Sequence, residues 1–130
     1  MAAGLFSAKA SKVYCQLLGR GQLFSTKVMV QVDFGQESGW FKDHRLVDEN
    51  GKPITFNSMV DAMNYMATLG WEFEQAYVIT TNGQNVYHWL LSKYIGEEES
   101  SGDGIVTKQQ IKDAQKAEKA IKGDNLDDVY

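Results

Sequence analysis

The chain has 130 residues, of which 43% are hydrophobic and 23% are charged, a composition typical of one small globular domain with or without a tail. No apolar run approaches the roughly 18 residues that a membrane-spanning helix needs, and residues 1–11 lack a signal-peptide pattern. A single cysteine, Cys15, excludes a disulfide within this sequence and a cysteine-rich zinc site. We therefore expect a soluble, cytoplasmic protein that does not bind membranes.

The net charge of −4 divides the chain into two parts. Residues 1–95 carry eight basic and eight acidic side chains, whereas residues 96–130 carry five lysines and nine acids. Residues 96–104 are acidic and rich in glycine and serine, a composition typical of a flexible linker. We predict an N-terminal extension at 1–11, a globular domain at 12–95, a flexible acidic linker at 96–106 and a charged tail at 107–130.

Alternating apolar residues predict two strands in the first half of the domain. In residues 12–18, Val13, Cys15 and Leu17 share one face, and residues 25–34 alternate in the same way. Strands this close in sequence usually form an antiparallel hairpin. Residues 45–47 have the pattern of a short edge strand.

A helix and a second hairpin are predicted next. Ser58 and Asp61 form a shortened capping box, apolar residues recur at helical spacing from Met59 to Leu69, and Gly70 ends the helix. Residues 71–81 predict a strand with Trp71, Phe73, Tyr77 and Ile79 on one face, and Asn82-Gly83 predicts a tight turn into a last strand at 84–95. The fold class is therefore α+β, an antiparallel sheet of four or five strands with one helix on one face, in the order ββ(β)αββ.

The tail has the pattern of one further helix over residues 107–122. Thr107 and Gln110 form a capping box, and Gly123 is a stop signal. The apolar face of this segment is narrow, so the helix would be marginal in water by itself.

The last strand is apolar on both sides, which is the feature with most functional content. A helix of about a dozen residues is ~18 Å long and covers one face of a small sheet. We expect the other face to expose Tyr87, Trp89 and Leu91, and such a patch marks an interaction surface. The predicted contact residues are Tyr14, Met29, Trp40, Phe41, Tyr87, Trp89 and Leu91.

Four occupants of that face remain open at this point. They are a second copy of the chain, another protein, the N-terminal segment with Leu5 and Phe6, and the tail helix. The predicted function is a non-enzymatic assembly or protein-interaction module that acts through an apolar sheet face, with the chain itself (as a homodimer or higher oligomer) or another protein as partner.

The sequence gives little support for a catalytic function. Cys15 with His44 or His88 could form a nucleophile pair, but Cys15 lies among apolar neighbours in a strand and has the pattern of a core residue. The spacing of the two histidines matches no metal motif, and Asp43-His44-Arg45 has the pattern of a solvated loop. Glu72 and Glu74 fit a polar outer face better than an acid–base pair. We predict no catalytic, cofactor-binding or metal-binding residues.

Nucleic-acid binding is the alternative from another class. Tyr14, Tyr87 and Trp89 on one sheet face could stack bases of a single strand. Against it, the domain is neutral and has only two arginines, whereas phosphate contacts supply much of the affinity for nucleic acid.

Two segments of the chain resemble a class of small bacterial domains of unknown function. They are residues 58–73, Ser-Met-Val-Asp-Ala-Met-Asn-Tyr-Met-Ala-Thr-Leu-Gly-Trp-Glu-Phe, and the later segment Val86-Tyr-His-Trp-Leu-Leu-Ser-Lys. Their signature is a short helix running into Leu-Gly-x-x-Gly-Trp-Glu-Leu and then a β-hairpin. In this chain one glycine precedes Trp71, and Phe73 stands in place of the leucine. The resemblance implies the fold and carries no catalytic residues. It also suggests a small structural or accessory protein of a phage or mobile element.

Overall fold

The computed structural model describes residues 10–22, 24–36 and 42–129, with side chains up to residue 122. Within these residues it contains five strands and two helices. The strands are β1 (Ser11–Gly21), β2 (Val28–Asp33), β3 (Thr55–Phe56), β4 (Glu72–Thr81) and β5 (Gln84–Ile95). The helices are α1 (Met59–Thr68) and α2 (Lys108–Val129).

The five strands form one antiparallel sheet in the order β3-β2-β1-β5-β4. The predicted α+β class is confirmed. The short additional strand is β3, immediately before α1, whereas residues 45–47 form isolated bridges rather than a strand. Both segments contribute to the same edge of the sheet, because β3 pairs with the start of β2 and Arg45 pairs with Gln31.

Helix α1 begins and ends where the local sequence predicts. The Ser58 hydroxyl accepts a hydrogen bond from the Asp61 amide at 3.2 Å, and the Asp61 carboxylate accepts one from the Asn57 amide at 2.9 Å. These bonds satisfy amides that a helix start leaves free. At the other end Gly70 adopts a φ of 93°, the left-handed conformation that glycine tolerates without strain.

The core lies between α1 and one face of the sheet. Met59, Ala62 and Met66 of α1 are buried against it. The remaining buried apolar side chains of this cluster are Cys15, Leu17, Val28, Val30, Val32, Leu46, Phe56, Trp71, Leu91 and Ile105. Trp71, directly after α1, anchors the helix to the sheet, and the Lys93 ammonium lies 4.8 Å from its ring centroid.

The chain beyond β5 returns to the core, which corrects the predicted domain boundary at residue 95. Ile105 and Thr107 are only 3% and 1% exposed, and the Val47 amide donates to the Val106 carbonyl at 3.1 Å. The segment predicted as a flexible linker therefore contributes a core side chain at its C-terminal end. A single apolar pair after a run of acids has no periodicity, so composition alone did not reveal this contact.

The start of α2 is hydrogen-bonded to residues 43–45. The predicted capping box is present, because Thr107 and Gln110 exchange hydrogen bonds at 3.3 and 3.4 Å. The Lys108 amide donates to the Arg45 carbonyl at 2.9 Å, and the Gln109 amide donates to the Asp43 carbonyl. The helix continues past Gly123, the predicted stop, to Val129, since glycine inside a helix costs only about 1 kcal/mol.

An ion pair between Asp43 and Arg45 stabilises the conformation of residues 43–45. Arg45 donates to both carboxylate oxygens of Asp43, from Nε at 2.9 Å and from Nη2 at 2.7 Å, and Lys112 Nζ lies 3.7 Å from Oδ2. These contacts, above all the hydrogen bonds from Arg45, lower the pKa of Asp43 from 3.8 to about 2. The charged carboxylate therefore stabilises the path of the chain beside β2.

We predict that Ile105→Ala lowers the free energy of unfolding by about 2–5 kcal/mol, because it leaves a cavity in the core. The neighbouring Val106→Ala is the matched control; Val106 is 42% exposed, so its change stays within roughly 0.5 kcal/mol. Urea unfolding followed by tryptophan fluorescence measures both. Equal, small effects would mean that the chain after residue 95 does not contribute to the core.

We also predict a pH dependence of stability from Asp43. Since its pKa in the folded protein is depressed to about 2, its stabilisation is complete above the ordinary value of 3.8 and is lost as the pH falls from there towards 2. Asp43→Asn should cost about 1–3 kcal/mol at pH 7 and flatten the stability curve in that window. Glu97→Gln, on an exposed turn, serves as the control; if the two variants share one acid profile, the assignment to Asp43 is wrong.

Candidate association surface

The β4–β5 hairpin is the least covered part of the sheet. Asn82 and Gly83 form its turn with φ values of 53° and 76°, and Thr81 pairs with Gln84. Two successive positive φ values are those of the tight turn predicted from Asn-Gly. Every residue of β4 is exposed, whereas the central part of β1 and most of β2 alternate between buried and partly buried positions.

A β-bulge at Glu74 changes which residues of β4 share a face. Phe73 pairs with Leu91 and Gln75 with Leu90, so Glu74 is the extra residue. Strict alternation had predicted Phe73, Tyr77 and Ile79 on one face, and this is wrong. Phe73 lies on the α1 side, whereas Tyr77 and Ile79 lie on the other side, since they pair with His88 and Val86.

The predicted face of Tyr87, Trp89 and Leu91 is also wrong. Leu91 pairs with Cys15 and Trp89 with Leu17, so these side chains share the α1 side of the sheet with the core of β1. Leu91 is fully buried and cannot be a contact residue in this fold. Tyr87 and Trp89 are half-buried at the margin of the core. The alternating pattern indicates which residues share a face of the strand, but the register with β1 decides which of the two faces packs against α1.

The hairpin leaves apolar surface on the α1 side because the core cluster beneath α1 includes side chains of β1, β2 and β5 but none of β4. Phe73 is 49% and Val78 51% exposed. The rings of Phe73 and Trp89 pack edge to face with centroids 5.2 Å apart. One part of the predicted patch, Trp89 with Tyr87, therefore borders an exposed area that includes β4 residues.

The side of the sheet away from α1 carries a second apolar and aromatic area. Tyr77 and His88 stack with centroids 4.7 Å apart, and the Gln16 side-chain amide lies 3.0 Å from Tyr77 Oη and 2.9 Å from His88 Nδ1. Ile79 beside them is 47% exposed. Of the predicted contact residues, Tyr14 and Met29 lie on this side, Tyr14 half-exposed and Met29 half-buried.

The backbone edge of β4 is open in the part of the chain that the structure describes. At the opposite end of the sheet, the outer edge of β2 is paired by β3 and by residues 44–46, whose backbone bonds to Val30 and Val32 are 3.2 and 3.1 Å long. No described strand pairs with the outer side of β4, which ends the sheet. Residues 75–81 also lack charge and proline, two features by which natural sheets protect an edge.

The charged residues of β4, Glu72 and Glu74, both lie at the beginning of the strand. Glu74 accepts a hydrogen bond from the Ser92 hydroxyl and lies 3.3 Å from Lys12 Nζ, and these two contacts lower its pKa. Glu74, for which the sequence favours a polar outer face over an acid–base role with Glu72, is thus engaged by Ser92 and Lys12.

Of the side chains considered for catalysis, Cys15 and His44 are both buried. Cys15 is 2% exposed, and burial raises the pKa of its thiol from 9.0 to about 12. His44 is buried, which corrects the predicted solvated loop at 43–45, because its segment pairs with β2. Among the described residues, no three His, Cys, Asp or Glu side chains are grouped so as to hold a metal ion.

The remaining predicted contact residues, Trp40 and Phe41, lie outside the described residues, as do Leu5 and Phe6. The aromatic set considered for nucleic-acid stacking is divided between the two sides of the sheet, since Tyr14 pairs with Ser92 and faces away from Tyr87 and Trp89. Tyr77, Val78 and Ile79 are not among the predicted contact residues, although each is about half exposed; the signal for them in the sequence is the uncharged run 75–81, which is rich in β-branched residues.

Comparison of the chain with protein-family models, with curated proteins and with solved structures finds no match. The similarity around Trp71 therefore remains a resemblance of local sequence. Within the described residues, neither helix combines the length and the apolar character needed to cross a bilayer.

We predict that Cys15 in the folded protein reacts with a thiol reagent at pH 8 at least about a hundredfold slower than in urea, because a buried, protonated thiol is a poor nucleophile. Val60→Cys adds an exposed thiol on α1 and should react at the unfolded rate, as the control. Rapid labelling of Cys15 in the native chain would contradict its place in the core and would revive a role as nucleophile.

Proposed function

We propose that this protein is a non-catalytic assembly module that binds protein through its β4–β5 hairpin. The observation that carries the proposal is the combination in β4 of a backbone edge with which no described strand pairs and exposed apolar side chains on both faces. An unpaired strand edge presents a row of free amides and carbonyls that another chain can pair with.

The side chains of the hairpin support a protein partner. Burying a large apolar side chain contributes roughly 1.5–3 kcal/mol, and Phe73, Tyr77, Val78 and Ile79 each remain about half exposed. Aromatic residues are enriched and charged residues depleted at the centres of protein interfaces. The hairpin has this composition from Gln75 onward.

A nucleic-acid partner has less support from the same surface. Strand β4 carries two glutamates and no basic residue, so it offers nothing to neutralise a phosphate backbone. The division of the stacking candidates between two faces removes the continuous aromatic platform that single-strand binding uses.

We predict that Ile79→Lys abolishes association by placing a charge in the apolar centre of the hairpin. The tagged full chain in an extract of cells that make it should elute well above the mass of its monomer, which is 14.6 kDa plus the tag, and the variant should elute at the monomer mass. Val60→Lys, at an exposed β-branched residue on α1, should leave the elution unchanged.

Elution of the unsubstituted chain at its monomer mass in the extract would contradict this function. So would an elution that Ile79→Lys and Val60→Lys alter equally, because the hairpin would then have no special part in the association. Circular dichroism of both purified variants checks that each retains the fold.

A further inference from the structure

We propose that the occupant of the β4 edge is a second copy of this chain, which adds its own β4 antiparallel across a two-fold axis at Val78. This inference rests on the proposed function and specifies its partner. The two five-stranded sheets would then form one continuous sheet, with both α1 helices on the same side.

The outward-facing backbone groups of β4 follow from the turn. In a hairpin with a two-residue turn, the flanking residues Thr81 and Gln84 bond to each other, and hydrogen-bonded pairs then alternate along the strands. The amides and carbonyls of Ala76, Val78 and Thr80 consequently point away from β5. These three residues are the free positions that an additional strand would use.

The bulge and the turn limit that free segment at its two ends. Glu74 interrupts the strand on one side, and Asn82 begins the turn on the other. Val78 is the midpoint between them. An antiparallel copy centred at Val78 therefore pairs Ala76 with Thr80 of the partner, Val78 with Val78 and Thr80 with Ala76, which gives about six backbone hydrogen bonds.

The side chains are self-complementary in this register. On the face away from α1, Tyr77 lies opposite Ile79 of the second copy and Ile79 lies opposite its Tyr77, an aromatic–β-branched pairing that stabilises sheets. Both residues are about half exposed in the single chain. On the α1 face, the two Val78 side chains, each 51% exposed in the single chain, meet at the two-fold axis.

Charge favours the antiparallel arrangement over a parallel one. The acids of β4, Glu72 and Glu74, stand at its beginning, and residues 75–81 carry no charge. A parallel copy would place each glutamate beside its equivalent, and like charges directly opposite each other destabilise a sheet. In the antiparallel register Glu74 instead lies opposite the uncharged turn residue Asn82 of the other copy.

Disulfide trapping tests the register. Cα atoms of a hydrogen-bonded antiparallel pair lie about 5.5 Å apart, within the roughly 4.4–6.8 Å that a disulfide spans. Val78→Cys should therefore form a covalent dimer under mild oxidation, in at least about tenfold higher yield than Thr80→Cys, whose equivalents lie about 13 Å apart along the strands. The native Cys15 is buried and remains in all variants.

Tyr77→Cys is the second control, because a two-fold axis displaced by one residue, to Tyr77, would bring the two Tyr77 positions together instead. Preferential cross-linking of Tyr77→Cys, or equal cross-linking of all three variants, would overturn the proposed register. Selective cross-linking of Val78→Cys supports it.

Amide hydrogen exchange of the unsubstituted chain by NMR is the independent measurement. The amides of Ala76, Val78 and Thr80 should exchange rapidly in dilute protein and at least about tenfold more slowly in concentrated protein. The amides of Tyr77 and Ile79, which face β5, should be protected at both concentrations. Protection of all five at every dilution would mean that the chain covers its own edge, and would overturn the inference.

The two proposals fail in different ways. If the purified chain is monomeric at all concentrations while the complex in the extract persists and is lost with Ile79→Lys, another protein occupies the hairpin, and only the inference of a second copy fails. If the extract contains no complex that depends on Ile79, the association function itself fails.

Discussion

The sheet has two edges, and among the described residues only one of them is paired by further segments of the chain. The arrangement of the rest of the structure follows from that difference. At the β2 end, β3 and residues 44–46 pair with the outer backbone groups, and the chain after β5 returns to hold this segment through the Val47–Val106 and Arg45–Lys108 bonds. At the β4 end, no described segment performs the same task. Backbone polar groups need partners or water, so one edge belongs to the interior of the fold and the other faces outward.

The core beneath α1 has the same asymmetry. The buried residues of α1 belong to one cluster with side chains of β1 and β2, and Leu91 of β5 completes that core. No side chain of β4 belongs to that core, and Phe73 and Val78 remain about half exposed on the α1 side of the sheet. Apolar surface is therefore present on both faces of the same strand whose edge is open, and this coincidence makes β4 the functional centre of the proposals.

The bulge at Glu74 has two consequences for that strand. It moves Phe73 to the face opposite Tyr77 and Ile79, which distributes the aromatic side chains over both sides of the sheet. It also interrupts the regular edge shortly after Trp71, with Glu74 held by Lys12 and Ser92. Bulges commonly end pairing at sheet edges, and the regular segment left here is short and symmetric about Val78.

Local features of the fold could be predicted because each depends on residues close in sequence. Ser58 with Asp61, Thr107 with Gln110, and the Asn82-Gly83 turn all form bonds within four residues, and all are present. The face of Trp89 could not be predicted in the same way. It depends on pairing with Leu17, more than seventy residues away, and a period of two is satisfied equally by either face.

The sequence by itself determined the α+β class, the start of both helices, the tight turn and the excess of apolar residues over what one short helix can cover. Only the tertiary structure decided that Leu91 is core, that Ile105 returns to the domain, and that most of the exposed apolar side chains of the hairpin lie on β4. Hydrophobic patterns record how much surface must be buried, because the free energy of burial depends on area. Where it is buried depends on strand register and edge pairing, which are relations between distant segments.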